Sequence, residues 1–297
     1  MNRRAWLLSM VWLVCGAAGL AAQEITVLPN LTYAEAGDVK LQLDLILPKE
    51  GEGPYPGLVL IHGGGWVGGT RHVFRPKAEE AARKGYVTAT ISYRLTNPDK
   101  TTGKPEYPFP AQIHDCKAAV RWLRAHAAEY KLDPRRIGVM GASAGGHLSL
   151  LVGLTDPKDD LEGELGPRDA SSRVQAVVNI FGPTDLLRCF ETSPGGVGFL
   201  KALCNGTPED SRELYVRASP VHYVTNDDPP VLTLHGEKDT LVPVEQAQLL
   251  DAKLKAAGVT HELVVLKDQG HGFQGEAAQQ AEQAAWDFLA RHLMPSR

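Results

Sequence analysis

One unit recurs along most of this chain: a short apolar run, a turn, then a stretch of helical character. The apolar runs are "GLVLIHG", "YVTATISYRL", "RIGVMGAS", "VQAVVNIFG", "PPVLTLHG" and "HELVVLKD". Each is a short run of largely β-branched or aliphatic character, as buried strands are. Between them lie helical patterns. "FPAQIHDCKAAVRWLRAHAAEYKL" places Ile113, Cys116, Val120, Leu123, Ala127 and Tyr130 at helical spacing, with Pro110 in a permitted first-turn position. The stretch Phe74 to Lys84 is stopped by Gly85, "AGGHLSLLVGL" follows "RIGVMGAS", "VEQAQLLDAKLKAAG" ends at Gly258, and "EAAQQAEQAAWDFLARHL" is the last helix. Ahead of this alternation of elements, "VKLQLDLILP" (Val39 to Pro48) alternates apolar and polar residues, as a half-exposed strand does. Strands alternating with helices predict an α/β fold: a mostly parallel central sheet with helices on both faces.

The rhythm breaks once, over about 185–219, too long for an ordinary connection and read here as a cap-like insertion over the sheet edge. No linker composition divides the rest, so residues 23–297 form one domain. A net charge of -4 and the lack of a basic tract beyond the first residues argue against a nucleic-acid partner. Arg3 and Arg4 precede the apolar run "AWLLSMVWLVCGAAGLAA", which ends in small residues. Residues 1–22 therefore read as a signal peptide, placing the mature chain in a periplasm or outside the cell without stable membrane association. The alternative is an uncleaved N-terminal membrane anchor, since the run approaches the roughly 20 residues that span a bilayer.

Ligands of an open α/β sheet sit beyond the carboxyl ends of its strands. There, "RIGVM" runs into Gly141-Ala142-Ser143-Ala144-Gly145, a G-x-S-x-G pattern with strand, turn and helix in the required order. A serine hydroxyl needs a base, and the base needs a group that holds its tautomer. "VLTLHGEKDTLVP" puts Asp239 just past one strand, and "LVVLKDQGHGF" puts His271 in a glycine-flanked turn past the last. The order Ser, Asp, His is that of an α/β-hydrolase. Asp268, closer to His271 in sequence, is the weaker candidate for the carboxylate. "LVLIHGGGWVGGT" adds the remaining part. Attack on a carbonyl leaves negative charge on its oxygen, and bare backbone N–H groups meet it without rearrangement. Gly64, Gly65 and Ala144 are the candidate donors, with Trp66 walling the substrate pocket.

"HGGGW", "GASAGGH", "HGEKDTLVP" and "GHGF" together resemble the α/β-hydrolase superfamily, within it the acetyl-esterase and lipase group related to hormone-sensitive lipase. "SYRL", "FPAQIHDCKAAVRWLR" and "FGPTDL" are similar to the bifunctional feruloyl and acetyl-xylan esterases. The resemblance spans nearly the whole mature chain. It implies hydrolysis of carboxylic esters through an acyl-serine intermediate, without a cofactor, on short-acyl or hydroxycinnamoyl esters such as those of plant cell-wall polysaccharide. The hormone-sensitive-lipase pattern usually has Asp before the nucleophile; Ala142 stands there, which moves the match toward the xylan-esterase branch. An arylformamidase would share the glycine loop and the triad, though export argues against that task. A non-catalytic binding protein on the same scaffold is the reading from another class.

The remaining candidates carry structural readings. Phe190, Phe199 and Leu203 of the insertion either line a pocket or form its private core. Cys189 and Cys204 flank "SPGGVG"; in an oxidising compartment they could pair, or stay two free small hydrophobes. Cys116 reads as a buried thiol. No CxxC or HExxH spacing points to a metal site. His147 reads as packing or bonding within its helix, His62 as a structural hydrogen-bonder, His235 as shaping the loop of Asp239, and Asp115 with Arg94 as a brace between helix and sheet. Asp185 reads as capping or anchoring the insertion.

Overall fold

The structure, a computed structural model, describes residues 24–98 and 101–295; the expected signal peptide lies outside the described residues. Eight strands form one sheet: β1 (Ile25–Ala36), β2 (Val39–Pro48), β3 (Tyr55–Ile61), β4 (Val87–Ile91), β5 (Leu132–Ala142), β6 (Ala176–Ile180), β7 (Val231–Gly236) and β8 (His261–Leu266). Their spatial order is β1-β2-β4-β3-β5-β6-β7-β8, with β1 and β2 antiparallel and β4 to β8 running parallel. The helices are α1 (Arg75–Arg83), α2 (Ala111–Ala125), α3 (Ala144–Leu154), α4 (Leu186–Thr192), α5 (Val197–Leu203), α6 (Pro208–Arg217), α7 (Glu245–Ala257) and α8 (Gly275–Leu293). Strand β1 was not legible in the alternation of its residues. Pro29 and Asn30 interrupt it, and its register with β2 slips between Leu28 and Leu31, where Asn30 sits at φ 59°. Such bulges are how an edge strand accommodates proline.

Two apolar cores lie on opposite faces of the sheet. One joins β3 and β5 to α2 and α3 through Val59, Ile113, Val139 and Leu148; the other packs α1 and α8 through Leu58, Ala81, Met140 and Phe288. Successive strand residues therefore enter different cores, which is why β3 and β5 read as unbroken apolar runs. The insertion corrects the expectation drawn from its length. It leaves β6, an interior strand, and its helices α4 and α5 bring Cys189, Phe199 and Leu200 to the cavity at the strand ends instead of covering the sheet edge. Phe109 N donates to Leu203 O at 2.8 Å and Thr96 Oγ1 to Ala202 O at 2.8 Å, tying α5 to the segments after β4. Asp185 caps α4, its Oδ1 accepting from Arg188 N at 3.0 Å.

Buried ion pairs fix the helices. Asp115 of α2 is wholly buried and takes a two-pronged contact from Arg94, at 2.7 Å to Oδ1 and 2.9 Å to Oδ2. Burial raises the Asp115 carboxyl above its ordinary range, and Arg94 only partly offsets this. Lys117 and Arg121 of the same helix, about one turn from each other, reach Glu162 at 2.5 and 2.9 Å and pin the connection between α3 and β6. Breaking a buried pair leaves an uncompensated charge, so Arg94→Met is expected to lower stability by about 3–5 kcal/mol at pH 7. The folded-state carboxyl is raised, more so without Arg94, so the folded chain holds the proton more tightly than the unfolded one. Stability lost to that charge returns as pH falls. Urea unfolding of variant and parent at pH 7 and pH 5 measures this; a difference that is small, or the same at both, contradicts it.

Candidate active site

Strand β5 ends at Ala142 and α3 starts at Ala144; Ser143 between them has φ 56° and ψ -121°. A non-glycine residue there is strained and persists only if its surroundings hold it. Ser143 N donates to Ile180 O of the adjacent strand at 2.8 Å, and His147 N donates back to Ser143 O at 3.0 Å. The turn has no spare room. A Cβ on Gly145 would lie 2.0 Å from Ile61 O, and one on Gly141 would lie 2.2 Å from Gly145 O. Both flanking glycines are required by backbone contact, and the serine hydroxyl is left standing out at the strand ends.

His271 and Asp239 arrive on two loops packed backbone to backbone. Gly236 ends β7 so close to the loop after β8 that a Cβ would meet Gly270 O at 2.3 Å, and Lys238 N donates to Gln269 O at 2.8 Å. The result is a continuous chain of hydrogen bonds. Ser143 Oγ stands 2.9 Å from His271 Nε2, and His271 Nδ1 stands 2.7 Å from Asp239 Oδ2. The other carboxylate oxygen, Oδ1, accepts from Leu241 N and Val242 N, both at 2.9 Å. Asp239 is 5% exposed and cannot turn away from the imidazole. Asp268 is not brought there: it is exposed and pairs with Lys238 at 2.5 Å. Phe181, itself at φ 43°, sets its ring 4.5 Å from that of His271 and limits its swing.

The glycine loop after β3 lies beside Ser143. Gly64 at φ 118° would put a Cβ 2.3 Å from Gly68 O, and Gly65 at φ 60° would put one 2.5 Å from the Phe199 ring. Among the described residues no acceptor takes the N–H of Gly64, Gly65 or Ala144. All three residues line a cavity of about 550 Å³ with Ser143 and His271, walled by Trp66, Phe181, Phe199, Leu200 and Leu241. Phe199 therefore faces the cavity, whereas Phe190 does not. Phe190 packs edge-on against the buried Tyr215 at 5.7 Å, because the same turn of α4 points Cys189 to the cavity and the next residue into the insertion's own core. Leu203 is likewise wholly buried.

Three further histidines are structural. His62 donates through Nδ1 to Gly63 O at 2.8 Å and stacks on Tyr93, while burial lowers its pKa. His235 donates through Nε2 to Val242 O at 2.7 Å, bracing the Asp239 loop, and burial lowers it too. His147 differs from its sequence reading. Its ring partners lie outside its helix, at Trp66 and Ala218, and burial pushes its pKa to about 4. Residues that sequence reasoning passed over are Phe181, Leu200, Leu241, Gly236 and Thr96, whose N–H holds Trp66 O at 2.9 Å. Gly236 had a legible signal in its place after "VLTLH"; the others had none. Among the described residues no group of three or more His, Cys, Asp or Glu could hold a metal ion, and no helix is long and apolar enough to cross a membrane.

Residues 43–254 match the family described as BD-FAE, and residues 215–294 match the dienelactone hydrolase family. Esterase LipC of Mycobacterium tuberculosis is 35% identical over 224 residues, which are 74% of this chain and 53% of that protein. The chain thus spans about half the length of the curated relatives it matches. Among solved structures, a bifunctional GH43-CE protein of Bacteroides eggerthii superposes with a TM-score of 0.78 at 35% identity, over 89% of this chain and 38% of that one. A truncated carbohydrate esterase from gut microbiota gives 0.75 at 28%, over 92% and 99%.

The cysteines remain. The pairing of Cys189 with Cys204 is not formed: both are buried free thiols, as is Cys116. Cys189 lines the cavity from α4, while Cys204 ends α5 within the apolar core, so each has its own surroundings. Burial pushes the Cys189 thiol up to about 12 and raises the other two as well. Ellman's reagent is expected to leave all three untouched in the native protein and to label all three in non-reducing guanidinium, read by peptide mass. A linked Cys189–Cys204 peptide would refute the free-thiol assignment.

Proposed function

The chain belongs to the BD-FAE family within the α/β-hydrolases, and from that premise we propose that it is a serine carboxylesterase. The observation that carries this reading is the run of hydrogen bonds from Asp239 through His271 to Ser143, in a cavity where three backbone N–H groups have no acceptor among the described residues. Ser143 Oγ attacks the ester carbonyl as His271 Nε2 takes its proton. Asp239, held by two amides, orients the imidazole and stabilises its charge. The carbonyl oxygen, now negative, lies against the N–H groups of Gly64, Gly65 and Ala144, each worth roughly 3 kcal/mol or more of barrier. Collapse breaks the ester C–O bond, and the alcohol leaves with the proton from His271. Water, deprotonated by His271, then attacks the acyl-serine; the acid departs and Ser143 recovers its hydrogen.

For the substrate, the reading is a short-acyl or hydroxycinnamoyl ester of plant cell-wall polysaccharide. Its support is the likeness to a carbohydrate esterase and a cavity walled by Trp66, Phe181 and Phe199. Aromatic walls suit both an aromatic acyl group and the apolar face of a sugar. Export to a periplasm or beyond belongs to the same reading, supported by the charged, apolar and small-residue order of residues 1–22.

Purified protein offered p-nitrophenyl acetate, acetylated xylan and methyl ferulate is expected to hydrolyse all three. Ser143→Ala and Asp239→Asn should each lower kcat by roughly 10⁴-fold or more. Inactivity toward p-nitrophenyl acetate would defeat the esterase reading. Inactivity toward only the other two would defeat the cell-wall reading, and release of formate from N-formylkynurenine would favour the amide hydrolase instead.

A further inference from the structure

His147 stands one helical turn beyond Ser143 and is wholly buried, yet the chemistry above makes no use of it. Both of its ring nitrogens are engaged by distant parts of the chain. Nε2 lies 2.6 Å from Ala218 O, and Nδ1 lies 3.2 Å from Trp66 Nε1. A carbonyl oxygen can only accept, and an indole nitrogen can only donate. One state satisfies both partners: hydrogen on Nε2, lone pair on Nδ1. The other neutral tautomer would set Nδ1–H against the indole N–H and leave the carbonyl without a donor. The doubly protonated ring would make the same clash, and its burial disfavours it.

The places of the two partners give this contact its meaning. Trp66 directly follows Gly64 and Gly65, and at φ 61° it is held in a left-handed conformation. Its carbonyl is fixed by Thr96 N; among the described residues its indole N–H bonds to His147. Ala218 closes α6, the last helix of the insertion whose Phe199 and Leu200 wall the cavity. The imidazole thus spans from the glycine loop to the insertion, through the helix that begins at Ser143.

We propose that His147 is a positioning residue. It holds the Gly64 and Gly65 amides in register with Ser143 by accepting from Trp66, and it references that loop to the insertion by donating to Ala218. The wall that receives substrate and the cradle that stabilises charge are then aligned through one ring. This rests on the esterase reading, because the cradle matters only if an oxyanion forms.

The test compares Trp66→Phe, which keeps a ring and removes the N–H, with His147→Gln and His147→Asn. Gln can still reach Ala218 O but offers no acceptor at the Nδ1 position; Asn places its Oδ1 near that position. With active sites titrated by a fluorophosphonate, Trp66→Phe and His147→Gln should each lower kcat on p-nitrophenyl acetate about tenfold, with KM within about twofold. Both remove one hydrogen bond, so the double variant should also lose about tenfold and not about a hundredfold. His147→Asn should recover part of kcat. Multiplying losses, a change confined to KM, or Asn no better than Gln would each overturn the proposal. If the His147→Gln chain does not fold, unchanged kcat in Trp66→Phe alone would overturn it. A readout independent of turnover is the indole N–H proton resonance that disappears in Trp66→Phe. It should lie downfield in the parent and move upfield in His147→Gln. If it does not move, the link is absent whatever the activity. If it moves while the parent reacts with neither ester nor phosphonate, the esterase reading fails and with it the role of the link, though not the contact itself.

Discussion

A serine held in a left-handed backbone conformation between β5 and α3 is the constraint on which the rest of the geometry turns. Such a residue is strained by about 1–3 kcal/mol, and here the surrounding backbone leaves it no alternative. Ile180 O accepts from its amide on one side, and α3 begins immediately on the other. The helix starts so close to β3 that Gly145 lies against Ile61 O and His62 O. The hydroxyl therefore projects at the end of the central strands, where loops from β3, β7 and β8 can meet it.

What those loops share is backbone-to-backbone contact at glycine. Gly63 lies against Ala142 O, Gly64 against Gly68 O, and Gly236 against the carbonyls of Gln269 and Gly270. Each replaces a packed side chain with a close approach of main chains, which no other residue allows. The polar side chains around them are then fixed by donors and acceptors. Asp239 is held by two amides and an imidazole, and His62, His147 and His235 each donate to a backbone carbonyl. Burial keeps those three rings toward the neutral form. His271, partly exposed at the cavity, is the imidazole among these four that a substrate can reach.

The insertion completes the cavity and shows where a sequence loses its information. It emerges from an interior strand, and α4 and α5 reach the strand ends, with α5 supplying Phe199 and Leu200. Phe190, Phe199 and Leu203 are equivalent by composition. Only the rotation of their helices sends one to the cavity and the other two to the core. The same holds for Cys189 and Cys204, whose spacing permits a bridge that the packing does not form.

By itself, the sequence determined the parallel sheet, the order of its strands along the chain, and the motifs that put Ser143, Asp239 and His271 just past the carboxyl ends of strands. These follow from local rules: apolar periodicity, glycine at tight turns, and strand-turn-helix order. Edge strand β1 escaped because Pro29 and Asn30 break the alternation, and a bulge is recognisable only against its partner. Tertiary structure alone decided which aromatic residues face the cavity, that the thiols remain apart, and that His147 reaches Trp66 and Ala218 instead of its own helix. Those outcomes depend on how helices rotate and on contacts between residues more than seventy positions apart. No periodicity in one segment encodes the surface it will meet in another.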